Sequence, residues 1–318
     1  MSPKRLLRAA ALCLCFAGAG ALAQSTAPAA SLIMAPDAKP ASAPGTAVPD
    51  QAAPTAASAP AATDAPTAPP ATPFSTVPTP PAAPMTGPVR NVVLVHGAFV
   101  DGSSWNGVVA KLQQKGYHVS SVQNPLTSLA DDVAATRRVL ARQDGPTMLV
   151  GHSWGGVVIT EAGANAPNVA GLVYVAAIAP DLHESTADLM KRAAPMPAGK
   201  GITTDASGFL WLDRAKYRAD FAADVPENLT RVLSAAQQPI AAKAFGETVG
   251  QVAWKEKPSW YVLTTKDRAV SPDVEKFMAE RMGAKVVPIA SSHLAPVSHA
   301  GAIADVIDRA ARELSRQQ

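Results

Sequence analysis

Cysteine is nearly missing from this chain, with two in 318 residues, Cys13 and Cys15. Both fall in the first 23 residues, so the remainder can form no disulfide and offers no thiolate ligand to a metal. Cys13 follows Leu12 rather than a small residue, which argues against lipoprotein processing. Net charge is also scarce. The formal charge is +3, and residues 1–23 hold three basic and no acidic side chains, which leaves 25 of each sign in the rest. The pI near 8.9 therefore belongs to the N-terminus. Nothing in the remainder points to nucleic acid or an anionic membrane as a partner. Metal and nucleotide signatures are missing too: there is no H-E-x-x-H, no G-x-G-x-x-G and no P-loop. No metal or cofactor is expected.

The apolar run that opens the chain, residues 9–23, is about 15 residues long, short for a membrane-spanning helix. It follows Lys4, Arg5 and Arg8 and ends in Ala21-Leu22-Ala23. A basic start, a short apolar centre and an Ala-x-Ala end predict a signal peptide over 1–23. Export to the periplasm or beyond the cell is expected, with no stable membrane insertion once the signal is removed. Residues 24–88 are mostly Ala, Pro, Thr and Ser, as in APTAPPATPFSTVPTPPAAP. Such a stretch buries too little apolar surface to offset its ordering entropy. It is read as a disordered, partly polyproline-like linker, able to reach on the order of 200 Å at about 3.1 Å per residue.

Residues 89–318 suffice for one domain with a sizeable core. Apolar strand-like runs alternate there with helical patterns. Strands are predicted at 91–95 (NVVLV), 117–122, 147–150 (TMLV), 169–178, 260–264 (WYVLT) and 285–289 (KVVPI). Helices are predicted at 104–115, 129–142, from 156 to about 164, at 273–282 and at about 300–315. This alternation implies an α/β fold, a mostly parallel sheet with helices on both faces. Residues 182–251 interrupt it with helical patches and no clear strand, and are read as a helical cap.

The sharpest local signal is Gly151-His152-Ser153-Trp154-Gly155. It fits G-x-S-x-G, lies between TMLV and a helix, and predicts a tight strand-to-helix turn that presents Ser153. A serine hydroxyl needs a base to become nucleophilic. His293, just past KVVPI, is the favoured candidate and His299 its rival. A carboxylate must hold the imidazole in the right tautomer. Asp267, just past WYVLT, is favoured over Asp181. The oxyanion of a tetrahedral intermediate calls for backbone donors. Trp154 N–H is one candidate, and Ala98 N–H in His96-Gly97-Ala98-Phe99 the other, with Phe99 as its alternative. In the cap, Phe209, Leu210, Trp211, Leu212, Tyr217, Phe221 and Phe245 serve either as cap core or as pocket wall, and Met190 and Met196 offer a flexible wall. Phe99, Trp211 and Leu294 are the candidate substrate contacts. Trp254 and Trp260 are read as packing residues.

Together VLVHGAF, GHSWGG, TTKDRAV and SSHLAPVSH resemble the α/β-hydrolase superfamily. The likeness is closest to small bacterial esterases and to the plant methylesterase and hydroxynitrile lyase group. The resemblance covers about residues 90–315. It implies the α/β-hydrolase fold, a Ser153–Asp267–His293 triad, an oxyanion hole of Ala98 and Trp154, and a cap that sets substrate choice. Hydroxynitrile lyases of that group carry a Lys directly after the catalytic His; Leu294 stands there instead, which disfavours cyanohydrin cleavage. The expected activity is hydrolysis of small or medium carboxylic esters without a cofactor. A cofactor-free haloperoxidase or amidase using the same triad, or a receptor that binds a ligand without turnover, are the alternatives. The sequence leaves oligomeric state open.

Overall fold

A computed structural model describes residues 86–317; the predicted signal peptide and nearly all of the predicted linker lie outside the described residues. The chain opens with strand β1 (Asn91–Val95), a 3-10 turn over Gly102–Trp105, helix α1 (Asn106–Gln114) and β2 (His118–Val122). Helix α2 (Leu129–Leu140) leads to β3 (Thr147–His152), α3 (Trp154–Ala162) and β4 (Val169–Val175). The cap contains α4 (Thr186–Met190), β5 (Ile202–Thr204), β6 (Phe209–Leu212), α5 (Arg214–Lys216), α6 (Glu227–Ala235) and β7 (Ile240–Ala241). The chain then adds β8 (Ser259–Thr264), α7 (Pro272–Arg281), β9 (Lys285–Ile289), α8 (Ala295–Ser298) and α9 (Ala300–Ser315).

Six strands form one sheet in the order β2-β1-β3-β4-β8-β9, and each neighbouring pair is parallel. Side chains alternate between its two faces, as a period of two requires. Val93, Val95, Leu149, Leu172 and Tyr174 pack on one face with residues of α2, α3 and α7. Val92, Leu94, Met148, Val150, Val173 and Val175 pack on the other with α1 and α9. Burial on both faces explains why β1, β3 and β4 read as unbroken apolar runs rather than alternating ones. The edge strands β2 and β9 are more exposed, and β9 carries Pro288, a residue tolerated at a sheet edge because it donates no ladder bond.

The chain runs from β1 outward to β2 and then returns past β1 to β3. The strand order therefore reverses between β1 and β3, and ligands of open α/β sheets bind beyond the carboxyl ends of the strands at such a point. The loop after β1 and the turn after β3 both emerge there.

Residues 182–251 are not purely helical. β5, β6 and β7 form a three-stranded antiparallel sheet, pairing Thr203 with Trp211 and Leu210 with Ile240. The strand was missed because FLWL is a run of four apolar residues, which no alternation distinguishes from helix. The cap is fastened to the main domain by backbone bonds such as Ala241 N–H to Leu126 O (2.8 Å) and Phe99 N–H to Gln238 O (3.1 Å). Among the described residues no helix is long and apolar enough to cross a membrane.

Candidate active site

Ser153 lies between β3 and α3 with φ 53° and ψ −124°, a left-handed region costly for any residue with a Cβ. Such strain costs about 1–3 kcal/mol and persists where the surroundings over-determine it. Three backbone bonds do so: Ser153 N–H to Val175 O, Gly156 N–H to Ser153 O, and Ile178 N–H to Ser153 O, at 3.2, 2.9 and 3.1 Å. The flanking glycines are required by close approach. A Cβ on Gly151 would sit 2.5 Å from Gly155 O, and one on Gly155 would strike Val95 O.

The loop after β1 passes directly beneath this turn. A Cβ on Gly97 would lie 2.6 Å from Ser153 Cβ and 3.2 Å from its Oγ. His96 shapes the loop: its Nδ1–H donates to Gly97 O (2.9 Å) while Nε2 accepts from Asn124 N–H (3.0 Å), which fixes the tautomer. Phe99 also has positive φ, 62°, held by its bond to Gln238 and by Tyr217 Oη–H donating to Phe99 O at 3.0 Å. The Phe99 N–H is thus committed to the cap. The N–H groups of Ala98 and Trp154 have no hydrogen-bond partner among the described residues, and both residues border the same cavity as Ser153.

Asp267 and His293 meet at the ends of β8 and β9. His293 Nδ1–H donates to Asp267 Oδ2 at 2.6 Å, with both side chains almost fully buried. The other carboxylate oxygen accepts from Ala269 N–H (2.7 Å) and Val270 N–H (2.9 Å). Burial pushes the Asp267 carboxyl up, but the His293 imidazole and these N–H donors outweigh it and hold it below the ordinary carboxylate value. The proton on His293 is thereby placed on Nδ1, which leaves Nε2 as the acceptor. His293 borders the cavity with Ser153. No Ser153–His293 hydrogen bond forms among the described residues.

The imidazole is packed between rings, with the centroids of His152 and Phe221 each 4.9 Å away. His152 Nε2–H donates to His293 O (2.9 Å), and burial lowers the His152 pKa to about 3, so it stays neutral. The cap holds the same loop from the other side. Asp224 accepts from Ser291 Oγ–H (2.9 Å), Ser292 N–H (3.0 Å) and the Ser292 hydroxyl. Burial raises the Asp224 carboxyl, and the bonds from Ser292 and Ser291 more than reverse it.

The rival candidates lie elsewhere. His299 Nδ1 is bonded to Ser298 Oγ (2.9 Å) and lies 3.5 Å from Asp224. Asp181 is paired with Lys255 and accepts from Leu182 N–H.

A cavity of about 660 Å³ opens over Ser153. Its walls include Phe99, Ile178, Met190, Leu212, Phe221 and Phe245, all apolar, with Met196 also bordering it. Two candidate substrate contacts fall outside it. Trp211 is 37 % exposed, and its Nε1–H donates to Asp205 Oδ2 at 2.9 Å. It alternates along β6 with Leu212, which takes the inward position. Leu294 is fully buried in the core just before α8 instead of bordering the cavity. Of the cap residues, Tyr217 is core, and Trp254 and Trp260 pack as expected, Trp254 donating to Pro180 O at 2.9 Å.

Sequence reasoning passed over His96, His152, Asp132, Asp224, Thr264 and Glu275. Asp132 is fully buried in the first turn of α2, where it accepts from Trp154 Nε1–H (2.7 Å) and Leu126 N–H (2.8 Å). In sequence it resembles an ordinary acidic N-terminal residue beside Asp131.

A strained serine at the switch point of a parallel sheet, beneath a cap and beside a buried Asp–His pair, defines a class of α/β fold. The chain belongs to the alpha/beta hydrolase family, whose model matches residues 92–306. A pyrethroid hydrolase of Sphingobium wenxiniae is 31 % identical over 146 residues, 37 % of this chain and 51 % of that protein. A carbendazim hydrolyzing esterase of a Nocardioides species is 32 % identical over 122 residues, 34 % and 50 % of the two chains. The match thus spans about half the length of these two relatives. Among solved structures, a pyrethroid hydrolase superposes with TM-score 0.62 at 24 % identity over 70 % of this chain and 98 % of that one. A methylesterase from Arabidopsis gives 0.58 at 21 % identity, over 70 % and 98 %.

Proposed function

We propose that this protein is a serine hydrolase that cleaves carboxylic esters with small or medium-sized apolar groups through an acyl-enzyme. One observation carries the reading: His293, paired with the buried Asp267, borders the same apolar cavity as a serine held in strained backbone. Ser153 Oγ attacks the ester carbonyl while His293 Nε2 takes its proton. The Asp267 carboxylate, already bonded to Nδ1–H, stabilises the imidazolium that forms. The N–H groups of Ala98 and Trp154 receive the negative oxygen, and unengaged donors fixed in place lose little to reorganisation. Collapse expels the alcohol with a proton from His293. A water then passes its proton to His293 and releases the acid.

A cavity of about 660 Å³ is within the range that encloses a drug-sized ligand, and its apolar walls favour uncharged esters. The relatives named for pyrethroid and carbendazim hydrolysis are in keeping with such substrates. Export is part of the proposal, carried by the basic start and Ala-x-Ala end of residues 1–23; N-terminal sequencing of protein recovered outside the cytoplasm should begin at Gln24.

The test is a panel of 4-nitrophenyl esters from acetate to decanoate together with a fluorophosphonate probe. Turnover lost in Ser153→Ala, and label on Ser153, are expected. Label on another residue, or a folded protein that turns over no ester, would overturn the reading, the second outcome favouring a ligand receptor.

A further inference from the structure

Behind the Asp267–His293 pair lies a second buried carboxyl that the proposed chemistry does not use. Glu275, in the first turn of α7, is fully buried. Its Oε2 accepts from Thr264 N–H at 3.0 Å, and its Oε1 lies 2.7 Å from Thr264 Oγ1. The same Thr264 oxygen lies 3.0 Å from Asp267 Oδ2. One hydroxyl is therefore within hydrogen-bond distance of two carboxyl oxygens, yet it has a single proton to donate. Both contacts are hydrogen bonds only if one carboxyl carries a proton of its own.

The surroundings say which one. Asp267 accepts from His293, Ala269 and Val270, a set that favours the ionised form. Glu275 has no cation within ion-pair distance among the described residues. The ionisable groups acting on it are Asp267, and Tyr261 from β8, whose own hydroxyl donates to Ala177 O. Burial and the nearby Asp267 charge both push the Glu275 carboxyl well above its ordinary value.

We propose that Glu275 is a positioning residue: as a neutral acid it donates to Thr264 Oγ1, which turns the Thr264 proton onto Asp267 and holds that carboxylate on His293. With this orientation each buried oxygen is satisfied. An ionised Glu275 would compete for the Thr264 proton, remove one donor from Asp267 and add a second negative charge beside it. The reading rests on the Asp267–His293 pair of the proposed function.

The test compares Glu275→Gln, Glu275→Leu and Thr264→Val. Glutamine reproduces the neutral acid, since its NH2 donates to Thr264 Oγ1 and its carbonyl accepts Thr264 N–H. Leucine removes both bonds, and valine removes the bridging hydroxyl at nearly constant shape. Thr264→Val is expected to lower kcat about tenfold with KM little changed, the loss of one charge-assisted bond; Glu275→Leu, which keeps the Thr264–Asp267 bond but leaves the hydroxyl free to turn, should lower kcat by less. Glu275→Gln should restore kcat to within about twofold of the parent and leave the acid limb of kcat/KM where it was. Should Glu275→Leu fail to fold, Thr264→Val carries the kinetic arm. Carbon-13 spectra of labelled glutamate provide a readout apart from activity: one carboxyl should keep the protonated shift at the pH of the assay, where exposed glutamates are ionised, and vanish in Glu275→Gln. The low-field Nδ1–H resonance of His293 should move in Thr264→Val. The proposal is overturned if Glu275→Gln displaces the acid limb by about one unit, the effect of removing a nearby charge, or if Thr264→Val has parental kcat and an unmoved resonance. Fluorophosphonate label missing from Ser153 in the parent would sink the nucleophile assignment instead, while the carboxyl spectrum still decides this one.

Discussion

Replacing Gly97 with alanine probes the contact on which the proposed oxyanion hole depends. The added methyl would sit 2.6 Å from Ser153 Cβ, 3.0 Å from His152 O and 3.2 Å from Ser153 Oγ. Carbon atoms prefer about 3.5–4.0 Å, so the β1 loop and the serine turn must part by roughly 1 Å. Neither can yield cheaply. The serine turn is pinned by the three backbone bonds around Ser153, and the loop by His96 and the cap bonds to Phe99. A displacement of that size costs about 10² in rate when it misplaces reacting groups, and loss of an oxyanion donor costs about 10²–10³. Overpacking destabilises by about 1–3 kcal/mol, small enough for a domain of ordinary stability to remain folded. The expected variant is folded, with kcat on a 4-nitrophenyl ester reduced by at least about 10², KM little altered, and slower fluorophosphonate labelling. Gly97→Ala with parental kcat and labelling rate, in a protein of native melting temperature, would refute the claim that the loop and the nucleophile work as one rigid unit.

Other outcomes follow from the same geometry. His293→Ala should abolish turnover, by as much as about 10⁶ if it matches the loss seen on removing the base of a serine protease. His299→Ala should leave kcat within about threefold, since its ring bonds Ser298 and faces Asp224; steady-state kinetics on one ester read both. Trp211→Ala should change neither kcat nor KM, whereas Phe245→Ala, which opens the wall where Phe245 packs 5.8 Å from Trp154, should favour bulkier acyl groups in the ester panel. Asp132 predicts a pH effect on stability. Burial raises its carboxyl to about 6 in the folded protein against about 3.9 unfolded. The fold therefore holds a proton that the unfolded chain has released, and stability falls as pH rises from about 4 to 6, by about 3 kcal/mol in all. Urea midpoints of the parent relative to Asp132→Ala should decline over that window and level off above it; a constant difference would remove Asp132 as the cause.

The serine turn was legible because its constraints are local. The two glycines, the apolar run before them and the helix after them all lie within about a dozen residues, and each is a statement about backbone clash and periodicity. The six strands were legible for the same reason, with no end displaced by more than three residues, the largest at β4, which stops at Val175 where the apolar run continues to Ile178. The cap sheet was less so. β6 shows why: in FLWL the pattern cannot tell which of two alternating residues faces the cavity, and Trp211 was chosen where Leu212 is the one that points inward.

Taken alone, the order of residues determined the α/β layering, the bend that presents Ser153, and short sets of candidates for its partners, because these depend on neighbours along the chain. Only the folded arrangement shows that Asp267 and His293 are bonded to each other while Asp181 and His299 have other partners, and that the cap engages the Phe99 amide but not that of Ala98. Those pairings depend on which strand ends are adjacent in the sheet and which groups the cap has already engaged. The Glu275–Thr264–Asp267 chain was invisible for the same physical reason: a glutamate in the first turn of a helix looks like a solvated charge until packing removes its water.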